Sequence, residues 1–136
     1  MEFSLRAIGH VESPLKRRGD APKQGEEGSP PAVIVFDVSV REGLRDMKIG
    51  DRLLLLTWLN RADRNKLSVH PRGNRTIRRH GVFSTRSPDR PNPIGLHRIT
   101  VVSILDSLRF GVRDLEVLNL TPILDVKPVL AGMAGS

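Results

Sequence analysis

The chain has 136 residues and a formal net charge of +7, from 22 Lys and Arg against 15 Asp and Glu. This length predicts one domain over residues 1–136, and with four Phe, one Trp and no Tyr its core must be mainly Leu, Ile and Val. The absence of cysteine excludes disulfides and thiolate metal sites and fits a reducing, cytoplasmic compartment. No stretch approaches the roughly 20 apolar residues of a membrane span, and the N-terminus has no apolar signal core.

Alternating and β-branched stretches predict a chain rich in short strands. The predicted strands cover residues 3–12, 32–40, 51–59, 80–85, 95–106, 108–118 and 121–129. One helical turn is predicted over residues 41–48, and two long loops over residues 13–31 and 60–79. Because no stretch has a helical period over 11 residues or more, the sequence predicts an all-β, mainly antiparallel barrel or sandwich. Loops of this length in a compact domain are often functional.

The positive charge is concentrated in one part of the chain. Residues 72–98 contain seven arginines and a single acid, Asp89. Such a concentration is typical of a protein with a polyanionic partner, often nucleic acid. A basic protein without such a partner is the alternative that composition leaves open.

The same part contains the stretch RSPDRPNPIG, residues 86–95, with three prolines within six residues. Proline removes a backbone donor and fixes φ, so this stretch is neither helix interior nor central strand. It is predicted to be a stiff loop in which Gly95 permits an unusual φ or a close backbone approach. The loop either presents Arg86, Arg90 and Asn92 in fixed directions or serves as an inert crossover between strands.

The residues favour no common catalytic or metal centre. The four histidines lack the i, i+4 spacing of a zinc enzyme, so no metal is predicted. The serines lie outside any nucleophile-elbow pattern, and no glycine-rich loop precedes a helix. A Rossmann-type nucleotide site is therefore excluded.

The stretch GVFSTRSPDRPNPIGL, residues 81–96, resembles the hallmark segment of the TsaA/TrmO-like family. The stretches IGHVESPLK at 8–16, APKQ at 21–24 and LTPILDVKPVL at 120–130 resemble further family segments in the same order. The resemblance implies a compact β-barrel and S-adenosyl-L-methionine as methyl donor. It also implies a homodimer with the donor near the subunit interface. The acceptor it implies is the exocyclic amine of a threonylcarbamoyl-modified adenosine next to the anticodon of tRNA.

The resemblance also implies site residues. Arg86 matches the motif arginine that contacts the cofactor, and Leu96 matches the next contacting position. Three further family segments are carried over by location only: they comprise Arg113, Asp114, Leu115 and Glu116; Leu59 and Asn60; and Gly25 and Glu26 after Gln24. A sulfonium donor needs positioning more than a nucleophile, so no catalytic residue is assigned, while Glu116 or Asp125 would suit the cationic sulfur.

The implied acceptor bears a carboxylate, which an arginine can clamp bidentately. Arg90 or Arg98 is the expected clamp, and Asn92, Asp125 and Lys127 are further expected substrate contacts. The remaining arginines are expected to contact tRNA phosphates, which predicts a steep salt dependence of binding.

Two departures from the family pattern bear on the substrate. The usual Asp-Gly before Thr-Pro is Asn119-Leu120, and the chain ends at Ser136, where several tRNA-methylating members continue into a further domain. Two alternatives therefore stand beside tRNA methylation. One is methylation of a small molecule or protein by the same barrel, and the other is a non-catalytic module that binds RNA or senses the cofactor.

Overall fold

Eight strands and three 3-10 helices make up the computed structural model, which describes residues 1–15 and 31–132. The strands are β1 Gly9–Glu12, β2 Ala32–Phe36, β3 Arg52–Trp58, β4 Ser68–Val69, β5 His80–Gly81, β6 Ile94–Asp106, β7 Arg109–Arg113 and β8 Pro122–Pro128. The 3-10 helices are Val38–Leu44, Pro71–Gly73 and Val82–Ser84. Six strands close an antiparallel barrel in the order β1-β2-β7-β6-β3-β8, while β4 and β5 form a separate two-stranded ribbon. The predicted all-β class is confirmed.

Alternate residues of β3 and β6 line the barrel interior, and Leu54, on the other side of β3, is buried as well. In β3 the inward residues Leu53, Leu55 and Thr57 are buried. On β6, Ile99 and Val101 are about 1% exposed, whereas Leu96 is 37% and Val102 43% exposed. Branched side chains from all six barrel strands meet in one core, to which Phe36 and Phe110 contribute an edge-to-face pair with centroids 6.1 Å apart.

Several predicted boundaries are wrong. The strand predicted over residues 3–12 begins only at Gly9, and residues 1–8 belong to no element. The strand predicted over 32–40 ends at Phe36 because Asp37 caps a 3-10 helix, its carboxylate accepting from Ser39 N at 3.2 Å. That helix contains the predicted turn residue Leu44 but starts three residues before the predicted turn.

Three further differences concern the predicted strands after residue 79. The predicted strand 80–85 stops at Gly81, where the 3-10 helix Val82–Ser84 begins. The predicted strand 108–118 stops at Arg113, because Asp114 takes a left-handed φ of 67° and turns the chain inward. Pro122 and Pro128, expected to break the last strand, are its first and last residues, where a missing donor is tolerated.

Candidate cofactor and substrate site

The motif loop, defined as residues 82–93, is held together by Arg90. Its guanidinium donates to the carbonyls of Thr85 (3.1 Å), Ser87 (3.0 Å) and Val82 (3.0 Å) and lies 5.9 Å from the Phe83 ring centroid. Three charge-assisted bonds to main-chain oxygens fix the loop from within. Arg90 was expected to bind the substrate carboxylate, but its guanidinium donates to carbonyl oxygens of the motif loop itself.

A second arginine ties the motif loop to the end of β3. Arg64 Nε donates to Pro91 O at 2.7 Å, and its Nη2 donates to Asn92 Oδ1 at 3.1 Å. The same guanidinium lies 5.1 Å from the centroid of a Trp58 ring. The Asn92 carbonyl oxygen, expected to contact substrate, is thus used within the fold. Arg64 gave no signal in the sequence because its partners lie 27 and 28 residues away.

Arg86 differs from its neighbours. It is exposed, and within residues 1–15 and 31–132 it makes no hydrogen bond or ion pair. The loop around it is braced by Arg90 and by Thr85, whose hydroxyl donates to Val82 O at 2.9 Å. A guanidinium free of partners on a braced loop is well suited to bind an anionic group of a ligand.

The base of the motif is a tight polar cluster inside the barrel. Thr57 Oγ1 lies 2.8 Å from His97 Nε2, and a Cβ at Gly95 would lie 2.5 Å and 2.6 Å from these atoms. Gly95 is therefore needed for close approach and not for a positive φ. Burial lowers the pKa of His97 to about 4, so the ring is neutral at physiological pH.

Four predicted ligand residues share one outer face of the barrel. Neighbouring strands β8, β3 and β6 place Lys127 opposite Leu54 and Leu54 opposite Arg98. Two residues farther along β3, Leu56 pairs with Asp125 of β8 on one side and with Leu96 of β6 on the other. Residues paired across antiparallel strands point to the same side, so Leu96, Arg98, Asp125 and Lys127 form a single surface, here called the outer face.

Arg98 stands out on the outer face. Its Nε is buried and has no hydrogen-bond partner in the described part of the chain. A buried guanidinium donor without an acceptor is costly, and a ligand carboxylate would satisfy it. Lys127 and Asp125 pair with each other at 3.1 Å beside it. Of the two arginines expected to clamp substrate, the geometry favours Arg98.

The remaining predicted cofactor residues fall into two groups. Leu59 N donates to Pro93 O at 2.8 Å, which sets Leu59 and Asn60 against the end of the motif loop. Arg113 pairs with Thr100, two positions beyond Arg98 on β6, and so continues the outer face. Beyond it, Asp114 turns the chain.

That turn gives Leu115 and Glu116 different environments. Leu115 is fully buried in the core, so only its backbone can reach a ligand, and Glu116 is partly buried. The remaining pair, Gly25 and Glu26, lies outside the described residues.

The unusual Asn119-Leu120 pair keeps a tight turn. Leu120 has a left-handed φ of 69° and is 62% exposed. Asn119 Oδ1 accepts from Ser13 N at 2.9 Å, and Asn119 N donates to Leu15 O at 2.7 Å. The asparagine therefore holds the end of β1, and the conformation that glycine favours is here adopted by leucine.

The segment 66–79, here called the basic segment, lies beside the motif loop in sequence and carries five cations and no acid. All of residues 72–79 are exposed. Arg79 is fixed by Ser68, donating to its carbonyl at 2.8 Å. The side chains of Arg75, Arg78 and Lys66 make no hydrogen bond or ion pair within the residues that the structure describes.

A cofactor such as S-adenosyl-L-methionine fits these surroundings. Its carboxylate matches a free arginine, and its adenosine matches apolar surface beside polar groups. Arg86 would supply the former, and the partly exposed Leu96 with the adjoining Leu56 would supply the latter. No group of three or more metal-ligating side chains occurs in residues 1–15 and 31–132. Over the same ranges, no helix is long and apolar enough to cross a bilayer.

Comparison with known proteins gives consistent matches. The family described as tRNA-methyltransferase O N-terminal domain matches residues 10–133. A "Probable S-adenosyl-L-methionine-binding protein" of Methanothermobacter thermautotrophicus is 40% identical over 128 residues, covering 94% of this chain and 90% of the relative. An "S-adenosyl-L-methionine-binding protein" of Archaeoglobus fulgidus is 38% identical over 123 residues, covering 90% and 86%.

Among solved structures, TrmO from Pseudomonas aeruginosa superposes with a TM-score of 0.77 at 22% identity. The match covers 100% of this chain but 61% of that one, so this chain spans less than two thirds of that TrmO, and the likeness shows the fold. With the family match extending from β1 to beyond β8, the chain belongs to the tRNA-methyltransferase O N-terminal domain family.

Proposed function

We propose that this chain is an S-adenosyl-L-methionine-dependent methyltransferase whose acceptor is the exocyclic amine of threonylcarbamoyl-modified adenosine beside the tRNA anticodon. The observation that carries the proposal is a pair of arginines whose side chains have no acceptor in residues 1–15 and 31–132: Arg86 on the motif loop and Arg98, with its buried Nε, on the outer face. Two anionic groups, one on the donor and one on the acceptor, would satisfy them.

The donor, when bound, supplies an electrophilic methyl group on a sulfonium. The residues of this chain bind and orient: Arg86 would hold the donor carboxylate and Leu96 its apolar part, with Leu59 and Asn60 at the loop end and Arg113 farther along. Arg98 would hold the threonyl carboxylate, with Lys127 adding positive charge. Positioning of this kind can supply much of the rate of a displacement reaction.

The basic segment supports RNA as the acceptor molecule. The side chains of Lys66, Arg75 and Arg78 are exposed and have no acceptor among the described residues, so they are available to phosphates. Phe83 lies between this segment and Arg86 in the sequence, and its ring is 76% exposed and backed by Arg90. An exposed aromatic ring among cations is suited to stacking on a nucleobase.

We also propose that the chain acts as a homodimer in the cytoplasm, where tRNA is found. Leu96 and Leu56 leave apolar surface on an otherwise open outer face, and a second subunit would cover it. Sedimentation of the full chain at micromolar concentration is expected to give the dimer mass, and a monomer throughout would contradict this part.

Calorimetric titration with S-adenosyl-L-methionine tests the donor. Saturable heat is expected, and a folded sample without detectable heat would overturn the methyltransferase assignment. Nucleoside mass spectrometry of tRNA from a deletion strain tests the acceptor, since the methylated threonylcarbamoyl form should be missing.

Complementation of that strain can separate the two parts of the proposal. Arg98→Gln should fail to restore the methylated nucleoside yet still bind the donor. Arg45→Gln should restore it, because Arg45 is 70% exposed, pairs with Glu42 and is none of the predicted site residues. Unchanged tRNA in the deletion strain would refute the acceptor while leaving the donor assignment intact.

A further inference from the structure

Leu120 combines a strained backbone with an exposed apolar side chain. It is the third residue of a turn over residues 118–121, in which Thr121 N donates to Leu118 O at 3.2 Å. Its φ of 69° lies in the left-handed region, which turns of this kind normally fill with glycine. A leucine there costs stability because its Cβ crowds the following carbonyl oxygen. The side chain recovers little by packing, since Leu120 is 62% exposed among the described residues.

The backbone on both sides of Leu120 is firmly held. Leu120 N donates to Val11 O at 2.7 Å, and the Thr121 hydroxyl donates to Leu118 O at 2.6 Å. Thr121 is 4% exposed and Ile123 is fully buried. The surroundings therefore fix the turn whichever residue stands at position 120, and glycine would fit it with less strain. A strained residue that its surroundings hold in place points to a role in binding and not in folding.

The turn lies at the end of the barrel that carries the motif loop. Ile94, where the motif loop enters β6, pairs with Trp58 at the end of β3, and Thr57 pairs with Ile123 near the start of β8. Only β3 separates β6 from β8. Neighbouring strands lie about 4.8 Å apart, so the start of β8 lies roughly 10 Å from the start of β6. A nucleoside bound beside the motif loop can therefore reach Leu120.

We propose that Leu120 binds the acceptor by packing its side chain against the nucleobase that receives the methyl group. The inference rests on the proposed function and adds a contact to it: Arg98 would bind the threonyl carboxylate, and Leu120 the face of the base. An apolar side chain presented by a rigid turn makes such a contact with little loss of conformational entropy. Because Leu120 has neither charge nor hydrogen-bonding groups in its side chain, it contacts the base equally with and without the threonylcarbamoyl group.

Two substitutions separate the side chain from the strain. Leu120→Ala removes most of the side chain but keeps a left-handed residue with a Cβ, whereas Leu120→Gly removes both. The substrate is an RNA hairpin with threonylcarbamoyl-modified adenosine in its loop. Both variants should raise KM for methyl transfer about five- to tenfold and leave kcat nearly unchanged, because the contact is the same in the ground and transition states.

Donor binding is the matched measurement. The dissociation constant for S-adenosyl-L-methionine, from calorimetry, should stay within about twofold of the native value in both variants, because Leu120 is assigned to the acceptor. An unchanged KM for the hairpin, or a weakened binding of the donor, would overturn the proposal.

Thermal unfolding gives a readout that a structural residue would not. Leu120→Gly should melt about 2 °C higher than the native chain, because the relief of left-handed strain outweighs the greater freedom of glycine in the unfolded state. Ile49→Gly is the control: Ile49 is also 62% exposed, but it precedes β3 at the opposite end of the barrel and has no positive φ. It should melt lower and leave KM unchanged. A lower melting temperature in Leu120→Gly or Leu120→Ala would show that the leucine supports the fold, and would overturn the proposal.

An unmodified hairpin locates the contact on the base. Leu120→Ala should weaken binding of the modified and the unmodified hairpin by the same factor, whereas Arg98→Gln should weaken binding of the modified hairpin alone. A Leu120→Ala protein that loses affinity only for the modified hairpin would overturn the contact with the base. Native chain and Leu120 variants that methylate the hairpin equally well would refute this inference and leave the proposed function intact. A native chain that does not methylate the hairpin would refute both.

Discussion

The motif loop and the basic segment are both rich in arginine, yet the structure uses their arginines in opposite ways. In the motif loop Arg90 is directed at three carbonyl oxygens, and Arg64 reaches in to bind two more oxygens. In the basic segment Arg75 and Arg78 are exposed and make no such contacts within the described residues. An arginine is structural where loop carbonyls converge on it and available for ligands where they do not. Arg86 is the exception on the motif loop, because its exposed guanidinium makes no hydrogen bond or ion pair within the described residues.

The largest effect on stability is expected from a substitution of Arg90. Arg90→Ala removes three charge-assisted bonds and takes the guanidinium away from the carbonyls of Thr85 and Ser87, while Val82 O keeps its donors from Thr85; the loss should be about 3 kcal/mol of unfolding free energy. For a chain of this length that is a drop of roughly 10 °C in melting temperature, measurable by calorimetry.

Arg86→Ala is the matched variant in the same loop. It should leave the melting temperature unchanged and weaken S-adenosyl-L-methionine binding by roughly 10- to 100-fold, because it removes a charged contact to the donor alone. If both variants lose equal stability, the division between bracing and binding arginines is wrong.

Much of this fold could be predicted from sequence because the signals are local. The apolar run of β3 and the branched run of β6 gave strands within a residue or two of the observed limits. The braces of the motif loop could not be found in this way. Arg64 and Asn92 are 28 residues apart, and Thr57 and His97 are 40 apart, so only the closed barrel brings them together.

The strand predicted from residue 3 and the environment of Arg90 show two different limits of prediction from sequence. Residues 3–8 alternate as a strand should, but a strand also needs a neighbour, and the described residues offer none to residues 1–7. Arg90 resembles a ligand contact in composition, and only the convergence of three carbonyls reveals its role. Local pattern specifies backbone tendency, whereas the partners of polar groups depend on tertiary structure.

The base of the motif loop should be nearly as sensitive as its braces. Gly95→Ala forces a Cβ against Thr57 and His97, two side chains that are bonded to each other, and should cost about 2 kcal/mol. Gly81→Ala is the control, since a Cβ there meets nothing within 4 Å. Urea unfolding of both proteins measures the difference. Equal free energies of unfolding for the two variants would show that Thr57 and His97 move aside at little cost.

The same cluster predicts a pH dependence of stability. The pKa of His97 is about 4 in the folded protein and 6.5 when unfolded, so the unfolded chain takes up the proton first as pH falls. Stability is therefore lost between pH 6.5 and 4, by about 2 kcal/mol at pH 5 relative to pH 7.5. Unfolding of the native chain and of His97→Gln at both pH values should show this loss only in the native chain. An identical pH dependence in both would place its origin elsewhere.

The smallest effect is expected from single cations of the basic segment. Arg78→Ala should leave stability and donor binding unchanged and weaken tRNA binding only about two- to fivefold, because it removes one phosphate contact among several. The slope of log affinity against log salt should fall by about 1, while Arg45→Ala should leave it unchanged. A steep slope in the native chain is itself required, and a binding curve flat from low to moderate salt would contradict the segment's role. If Arg78→Ala impaired donor binding as strongly as Arg86→Ala, the basic segment and the motif loop would form one site, and the contrast between them would fail.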